Sequence, residues 1–314
     1  ARSVLTQAPS SYRLPYIYWP YGIETAQSVK QAGLTEICVP DAEKDNWQAA
    51  GFKILTDRNL NFEQREKLIV PGILRRANIA SPTSRPWIEA NGWRFIRNPA
   101  GKYYYELPAG KGALAAAEAF AYGVDAVLKI DQSDLEEMGK MLAFQRRLPQ
   151  DVLPVVADIG VIDDQTPLTG EVMNLLTRRN LLFKIVAAPS SEYAVNIKIG
   201  TSEFPESDAA DPSSFAQKIR RLLTDEKRTL RIYGNEVVIC RLTGKGSHLR
   251  LQLLNYSGRE IDGMRVRLLG SYRKIHLMAF AYNPIPPEDM LISEGATEFT
   301  IPKIGTYTQV ELDN

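Results

Sequence analysis

Four acidic residues in the first half of the chain each follow a short apolar run, and their placement could support catalysis. They are Asp41, Asp57, Glu106 and Asp131. In parallel α/β proteins the carboxyl ends of the strands meet at one edge, where ligands bind and chemistry occurs. Two carboxyl groups with different pKa values can divide acid and base roles, as in the hydrolysis of glycosidic bonds. We predict Glu106, with Asp57 or Asp131, as catalytic residues; the alternative is that each caps the helix after its strand.

A second group of side chains suits the recognition of sugars. Aromatic rings offer an apolar face for the C–H surface of a sugar, while Tyr and Trp keep a polar edge for hydrogen bonds. Arginine presents a fixed fork of donors to anions or hydroxyl groups. The predicted substrate-binding residues are Trp19, Tyr21, Asp41, Arg76, Asn78 and Trp87. Core packing is the alternative for the aromatic residues, and a surface ion pair is the alternative for the arginine.

The segment from Tyr103 to Asp131 predicts a strand, a helix and a strand in succession. An alanine-rich amphipathic run at Lys111–Tyr122 separates three consecutive tyrosines from the apolar run Val124–Ile130. Apolar residues then recur at helical spacing over Leu135–Arg147. Upstream, strand-like and helix-like runs alternate, and part of the irregular stretch 75–102 is predicted as a strand at Trp93–Ile96. The first 150 residues therefore read as an α/β domain.

Two further regions have different patterns. Val155–Ile162 is almost wholly apolar, which is typical of a strand buried on both faces, and a helix at Leu168–Arg179 and a strand at Leu181–Val186 follow it. After residue 227 the helical pattern stops, and Leu249–Leu254 alternates apolar and polar residues like a half-buried antiparallel strand. The predicted fold class is α/β plus all-β, with boundaries at 1–150, 151–226 and 227–314, the last a β-sandwich.

The composition excludes several functional classes. The 38 basic and 37 acidic side chains give a net charge of +1, without the basic excess expected of a nucleic-acid-binding protein. No apolar run approaches the ~20 residues that span a bilayer. Both histidines, His248 and His276, lie in the β-rich part, so the α/β part has none for a Ser-His-Asp triad or a histidine-ligated zinc. Cys38 and Cys240 lie in apolar runs without zinc spacing and are predicted as buried thiols.

The loop at Gly110, Lys111 and Gly112 is the nearest approach to a nucleotide-binding motif. It lacks the GxxxxGK[ST] spacing of a phosphate-binding loop, because a glycine follows the lysine. We therefore expect no nucleotide, no other cofactor and no metal. The sequence starts at Ala1 without a methionine, which favours an exported protein, periplasmic or secreted, over a cytoplasmic one. A homo-oligomer is left open.

Three segments carry a resemblance to a known group of enzymes. The run from Ala115 to Gly123, followed by Ala126–Ile130 and the helix to Arg147, resembles the end of the (β/α)8 barrel of some glycoside hydrolases. Residues 155–164 look like the first strand of the flavodoxin-like, amidotransferase-like domain that follows the barrel in some β-galactosidase-type enzymes. Residues 253–258, with Met264–Leu268, look like their closing β-sandwich. The resemblance implies a shortened barrel-like domain, a flavodoxin-like domain and a β-sandwich, in that order.

This resemblance implies a carbohydrate-active protein, with two departures from the enzymes it resembles. About 150 residues is short for a complete barrel. Glu106 lies where a late-strand nucleophile could lie, but no glutamate closes the run at residues 68–72, so the second carboxylate is missing or is an aspartate such as Asp57. The favoured hypothesis is two-carboxylate hydrolysis of a glycosidic bond. The alternatives are a non-catalytic carbohydrate-binding or scaffolding protein derived from a glycosidase, and an interaction protein with no sugar ligand.

Overall fold

The computed structural model describes residues 12–74, 87–234 and 236–314. The chain divides into two compact units, each described over the residues just given: unit 1 is Ala1–Gly72 and Asn98–Val152, and unit 2 is Ile73–Arg97 and Leu153–Asn314. The helices of the described residues are α1 (Ala26–Gln31), α2 (Lys44–Ala49), α3 (Gly92–Arg97), α4 (Gly112–Tyr122), α5 (Leu135–Arg147), α6 (Pro167–Arg178) and α7 (Pro212–Lys227).

The strands of the described residues are short in the α/β regions and longer in the last third of the chain. They are β1 (Tyr16–Tyr18), β2 (Glu36–Val39), β3 (Lys53–Thr56), β4 (Glu66–Lys67), β5 (Gly72–Leu74), β6 (Trp87–Glu89), β7 (Lys102–Glu106), β8 (Asp125–Lys129), β9 (Ile159–Ile162), β10 (Phe183–Val186), β11 (Val195–Ile197), β12 (Leu230–Tyr233), β13 (Val238–Lys245), β14 (His248–Asn255), β15 (Ile261–Leu269), β16 (Lys274–Ala279), β17 (Glu288–Ser293), β18 (Ala296–Ile304) and β19 (Tyr307–Asp313).

Unit 1 is built on a six-stranded sheet in the order β3-β2-β1-β8-β7-β4. Every strand pair in it is parallel. The first strand of the described residues, β1, lies beside β8, the last strand of the unit, which is the neighbour relation found where a (β/α) barrel closes on itself. Strands β3 and β4 are the free edges of the sheet in the described residues. The predicted parallel α/β sheet is therefore confirmed, while the described residues form an open sheet and the barrel-like arrangement stays a prediction.

The alanines of α4 allow tight packing in unit 1. Every residue of α4 is buried, and the helix packs against β8 and α5. Gln145 of α5 donates a hydrogen bond to the carbonyl oxygen of Ala116, at 3.0 Å. Gly139 of α5 lies so close to α1 that a Cβ there would stand 1.8 Å from the carbonyl oxygen of Ala32, so a larger side chain would clash with backbone. These contacts fix the helical layer behind the sheet.

Unit 2 contains a three-stranded parallel sheet in the order β10-β9-β11, and α6 connects β9 to β10. The predicted order of strand, helix and strand is confirmed, but β9 begins at Ile159 and not at Val155. The stretch predicted as a strand at Trp93–Ile96 is instead helix α3, because the carbonyl oxygen of Asn91 accepts the N–H groups of Arg94 and Phe95 and so starts a helical turn. A short aromatic run does not reveal its period, so its pattern fits either element. Trp93 of α3 packs in the core of this small sheet.

Two four-stranded antiparallel sheets form the last part of unit 2, in the orders β12-β15-β18-β17 and β13-β14-β19-β16. Leucine, valine and isoleucine side chains from both sheets share one core, which is the arrangement of a sandwich. Asn180, in the left-handed region at φ 51° after α6, joins the α/β part to β13. Its amide donates to the carbonyl oxygen of Val238 at 2.9 Å, and its side-chain oxygen accepts the N–H of Cys240 at 2.7 Å.

Candidate functional site

The parallel register of unit 1 brings polar side chains into one row across the sheet. Glu106 of β7 is in register with Lys129 of β8, which is in register with Tyr18 of β1. Tyr18 is in register with Cys38, and Cys38 with Leu55. Residues in register on parallel strands point to the same face of a sheet. We call this face, which also carries Tyr104 two residues before Glu106, the inner face.

Glu106 lies between two lysines on the inner face. Its Oε2 atom is 2.6 Å from Nζ of Lys67, and its Oε1 atom is 2.8 Å from Nζ of Lys129. The side chains are 44%, 64% and 37% exposed for Glu106, Lys67 and Lys129, so solvent reaches all three. Hydrogen bonds from Lys129 and Lys67, followed by their positive charges, lower the pKa of Glu106 to about 2. The carboxylate is therefore ionised at every physiological pH.

An aromatic cluster lies beside this charged group. The ring centroid of Phe62, which follows β3, is 4.8 Å from that of Tyr18 and 4.2 Å from that of Tyr104. Burial, reinforced by the charge of Glu106, raises the pKa of Tyr104 to about 12. Burial also raises the pKa of Tyr18, and the charge of Asp57 adds to this effect. Both phenols thus keep their protons and can donate as well as accept hydrogen bonds.

Asp131 and Asp57, the predicted catalytic partners of Glu106, form hydrogen bonds with residues close to them in the sequence. Asp131 caps the turn before α5, where Oδ1 accepts the N–H and the hydroxyl of Ser133 at 2.9 and 2.6 Å. These bonds lower its pKa. Asp57 accepts the N–H of Arg58 at 2.8 Å, and its charge acts on Tyr18. Neither aspartate has a contact with Glu106 among the interactions of the described residues, and Asp131 has the local capping role that the alternative interpretation gave it.

Strand order sets an upper value for the distance between Glu106 and Asp57. Three strands separate β7 from β3, so Glu106 and Asp57 are four strand spacings apart along the sheet. At about 4.8 Å for each spacing this is roughly 19 Å along a flat sheet, which is an upper value. Phe62, whose N–H donates to the carbonyl oxygen of Asp57 at 3.0 Å, also contacts Tyr104 of β7, with ring centroids 4.2 Å apart. The two carboxyl groups of a glycosidase lie about 5 to 9.5 Å apart. Asp131 follows the neighbouring strand β8, but the pKa values of Asp131 and Glu106 are both lowered, so neither is suited to donate a proton.

Several predicted binding residues lie elsewhere. Trp19 is fully buried, and its indole N–H donates to the hydroxyl of Thr25 at 2.9 Å. A buried ring has no face for a ligand, so we no longer assign Trp19 a stacking role. Tyr21 packs against Trp19, with ring centroids 4.6 Å apart, and is partly exposed. Asp41 is 3.5 Å from Arg58 in an exposed ion pair.

The remaining predictions concern residues between α2 and α3. Trp87 is in β6 of unit 2, where the guanidinium carbon of Arg178 lies 3.7 Å from its ring centroid. This contact occupies one face of the Trp87 ring within unit 2 itself. Arg76 and Asn78 lie outside the described residues.

Sequence reasoning did not select Lys67, Lys129, Tyr104 or Phe62 for the site. One signal was available: Tyr104 and Glu106 are two residues apart in a strand, so they share a face. Lys129 is the last residue of a strand that otherwise reads as apolar, and nothing in that pattern shows that it faces a glutamate. Phe62 lies outside any strand, so only the folded chain brings it to the inner face.

The loop at residues 110–112 and the two cysteines both have structural roles. The backbone N–H groups of Gly110, Lys111 and Gly112 all donate to the carboxylate of Asp134, at 2.6, 3.2 and 2.9 Å. The start of α4 therefore already holds an anion from its own chain. Cys38 and Cys240 are buried free thiols, as predicted, and burial raises the pKa of Cys38 to about 12.

In the described part of the chain, no group of three or more His, Cys, Asp or Glu side chains could hold a metal ion. Over those residues there is also no helix that combines the length and the apolar character needed to cross a bilayer.

No protein-family model matches the chain, and no curated protein sequence does. Among solved structures the chain is similar to α-L-fucosidase isoenzyme 2 from Paenibacillus thiaminolyticus, with 10% identity, a TM-score of 0.50, and coverage of 68% of this chain and 60% of that one. A β-galactosidase from Rahnella sp. R3 gives 8% identity, a TM-score of 0.42, and coverage of 89% and 63%. A catalytic mutant of Gan42B, a GH42 β-galactosidase from G. stearothermophilus, gives 9% identity, a TM-score of 0.39, and coverage of 77% of this chain and 53% of that one.

The similarity to the α-L-fucosidase bears on the fold alone, because only 10% of the aligned residues are identical. The chain has a glycosidase-like fold. It spans between 53% and 63% of the length of the three proteins.

Proposed function

We propose that this is a carbohydrate-active protein and that the inner face of unit 1 binds the sugar. One observation carries the proposal: partly exposed Tyr18 and Tyr104 lie beside the solvent-accessible Lys67, Glu106 and Lys129. Tyrosine rings supply an apolar surface with a polar edge, and charged groups supply donors and acceptors for hydroxyl groups. Such a combination of apolar walls with a few convergent polar groups is typical of small-molecule sites.

The finer proposal is hydrolysis of a glycosidic bond, with Glu106 as the ionised carboxylate. An ionised glutamate at the end of a late strand suits a nucleophile or a group that stabilises positive charge. The reaction also needs an acid to protonate the leaving oxygen, and Asp57 is the proposed partner. For this role the sheet must curve enough to bring Asp57 much closer to Glu106 than the roughly 19 Å of a flat sheet.

Binding without turnover is the second candidate, and one observation favours it. Two ammonium groups lie 2.6 and 2.8 Å from the Glu106 carboxylate. The transition state of glycoside hydrolysis is an oxocarbenium-like cation. Ammonium groups at this distance neutralise the carboxylate and disfavour positive charge beside it. The same lysines do not disfavour a neutral or acidic sugar in its ground state.

A panel of oligosaccharides, assayed for both turnover and binding, separates the two candidates. Under the hydrolase proposal, Glu106→Gln abolishes turnover while calorimetry still detects sugar binding. The matched control is Glu136→Gln, which also removes an exposed glutamate paired with a lysine, and it should leave both unchanged. If the native protein binds sugars but turns over none of them, the second candidate holds. Failure to bind any sugar contradicts the whole proposal.

The division into three domains at residues 150 and 226 and export from the cytoplasm remain predictions. For the domains, limited proteolysis followed by mass spectrometry is the direct measurement, because domain boundaries fall in exposed linkers.

A further inference from the structure

Strand β17 is the outer strand of one sandwich sheet and is open to solvent. It ends the order β12-β15-β18-β17, and among the described residues it pairs only with β18. All six of its residues are exposed. An edge strand of this kind presents unpaired N–H and C=O groups that can pair with another strand.

The side chains of this edge are unusually apolar for a surface. Met290, Leu291 and Ile292 are 41%, 53% and 39% exposed, and Ile285 just before the strand is 45% exposed. These four make up half of the eight exposed large hydrophobic residues in the described part of the chain. Scattered apolar residues on a surface need no explanation, but a cluster of them marks an interaction site.

The features that normally prevent an edge strand from pairing with another chain lie only at the N-terminal end of β17. Prolines 284, 286 and 287 precede it, and a bulge between Glu288 and Leu291 disturbs its pairing, with Asp289 at φ 50°. Prolines and bulges both hinder the addition of another strand. From Leu291 to Ser293, however, the register with β18 is regular, and no lysine blocks the edge. The second half of β17 is therefore available.

The charge around β17 identifies the kind of partner. Glu288, Asp289 and Glu294 surround the apolar residues, and residues 281–296 contain no lysine or arginine. Arg265 donates to the carbonyl oxygen of Asp289, but its charge is paired with Glu298. A second copy of β17 paired antiparallel about Leu291 would place Glu288 opposite Glu294, and like charges in that position are destabilising. A strand with basic ends would meet opposite charges instead.

We propose that β17 is a docking edge for an extended segment of another protein, with alternating apolar residues at its centre and lysine or arginine at its ends. The segment adds to the sheet as a further strand. Backbone hydrogen bonds supply affinity, while contact with Met290, Leu291 and Ile292 and attraction to the flanking acids supply specificity. This inference does not depend on the proposed binding of sugars in unit 1.

Binding of a labelled synthetic peptide to the whole protein tests the proposal. The probe alternates valine and threonine and carries lysines at both ends; the comparison peptide carries glutamates there. Ile292→Lys places a charge on the open edge, and Glu288→Lys reverses an acidic charge. Leu222→Lys is the matched control, because Leu222 is a similarly exposed apolar residue, at 42%, on α7. Circular dichroism and thermal melting verify that each variant is folded.

Fluorescence anisotropy should show binding of the lysine peptide that weakens as salt is raised. It should be about tenfold weaker for Ile292→Lys, since edge charge opposes strand addition, and weaker for Glu288→Lys, while Leu222→Lys binds normally. No binding of the lysine peptide, or equal binding of both peptides, overturns the proposal. So does dimerisation seen by sedimentation and lost in Ile292→Lys, because a second copy would then be the occupant.

Discussion

Two carboxylates follow parallel strands in the two units, and their surroundings differ sharply. Glu106 ends β7 in unit 1, is 44% exposed and contacts two exposed lysines. Asp163 follows β9 in unit 2, is only 2% exposed and holds Arg97 through two bonds, at 2.9 Å to Nε and 2.8 Å to Nη2. The same kind of sequence position thus yields a solvent-accessible group in one sheet and a buried structural ion pair in the other.

An acidic residue at the end of a parallel strand does not by itself establish a functional site. In a buried, bidentate ion pair both groups have lost their contact with water and are held in one geometry. Removing one partner therefore leaves an uncompensated charge. An exposed group between lysines keeps water and can exchange partners with a ligand. The carboxyl edge of a parallel sheet is therefore a place where a site can occur, and exposure and partners decide whether it does.

The largest expected effect is in unit 2. Arg97→Ala should lower the free energy of unfolding by about 2–3 kcal/mol, because the Asp163 side chain loses both hydrogen bonds from the guanidinium and keeps only those from Gln165. Lys140→Ala is the matched control, since it removes the exposed partner of Glu136 and should change stability very little. Urea unfolding of both variants measures the difference. Equal stability of the two variants would mean that the Arg97 pair is no more structural than a surface pair.

An intermediate effect is expected at the start of α4 in unit 1. Asp134 is buried and accepts three backbone N–H groups, so Asp134→Ala should cost about 2 kcal/mol. Asp131→Ala removes an exposed cap three residues earlier and should cost less. Thermal unfolding compares them. A larger loss for Asp131→Ala would contradict the structural role given to Asp134.

The smallest effect on stability is expected at Glu106. Its pKa of about 2 in the folded chain lies below the roughly 4.3 of an unfolded glutamate. The ionised form therefore adds stability above about pH 4.3, and this contribution disappears as the pH falls towards 2. Melting temperatures of the native protein and Glu106→Gln should differ slightly near neutral pH and converge in acid. A difference that grows on acidification would show that the lysines do not hold the carboxylate ionised.

The sequence was most informative where periodicity is strong. Helices α5 and α6 were predicted near their observed bounds, since each carries a helical pattern over twelve or more residues. Helix α4 and strand β14 also lie near their predicted bounds, but their predicted polar faces were wrong: α4 is buried all round, and Arg250 and Gln252 of β14 are buried. Helix α3 was missed because six residues with two aromatic side chains fit either a helix or a strand. The open sheet could not be predicted, because strand order depends on contacts between distant segments.

The candidate site was only partly predictable. Glu106 could be chosen because strand-end carboxylates have a known place in parallel sheets, and the sheet does bring it to a solvent-exposed edge. The lysines beside it come from β4 and β8, and Lys67 is 39 residues away along the chain. Trp19 shows the opposite failure: an aromatic residue at a strand exit suggested a ligand, but the fold buries it. Exposure is a property of the folded chain that residue type alone does not give.

Heteronuclear NMR of the native protein, titrated with the oligosaccharides of the panel, tests the central claim most directly. If the inner face of unit 1 binds sugar, the resonances of Tyr18, Tyr104, Lys67, Glu106 and Lys129 should shift with a common saturation curve. Lys140, on the exposed surface of α5, should stay unchanged. Saturable shifts confined to unit 2, or none in the inner-face residues while calorimetry reports binding, would contradict the account.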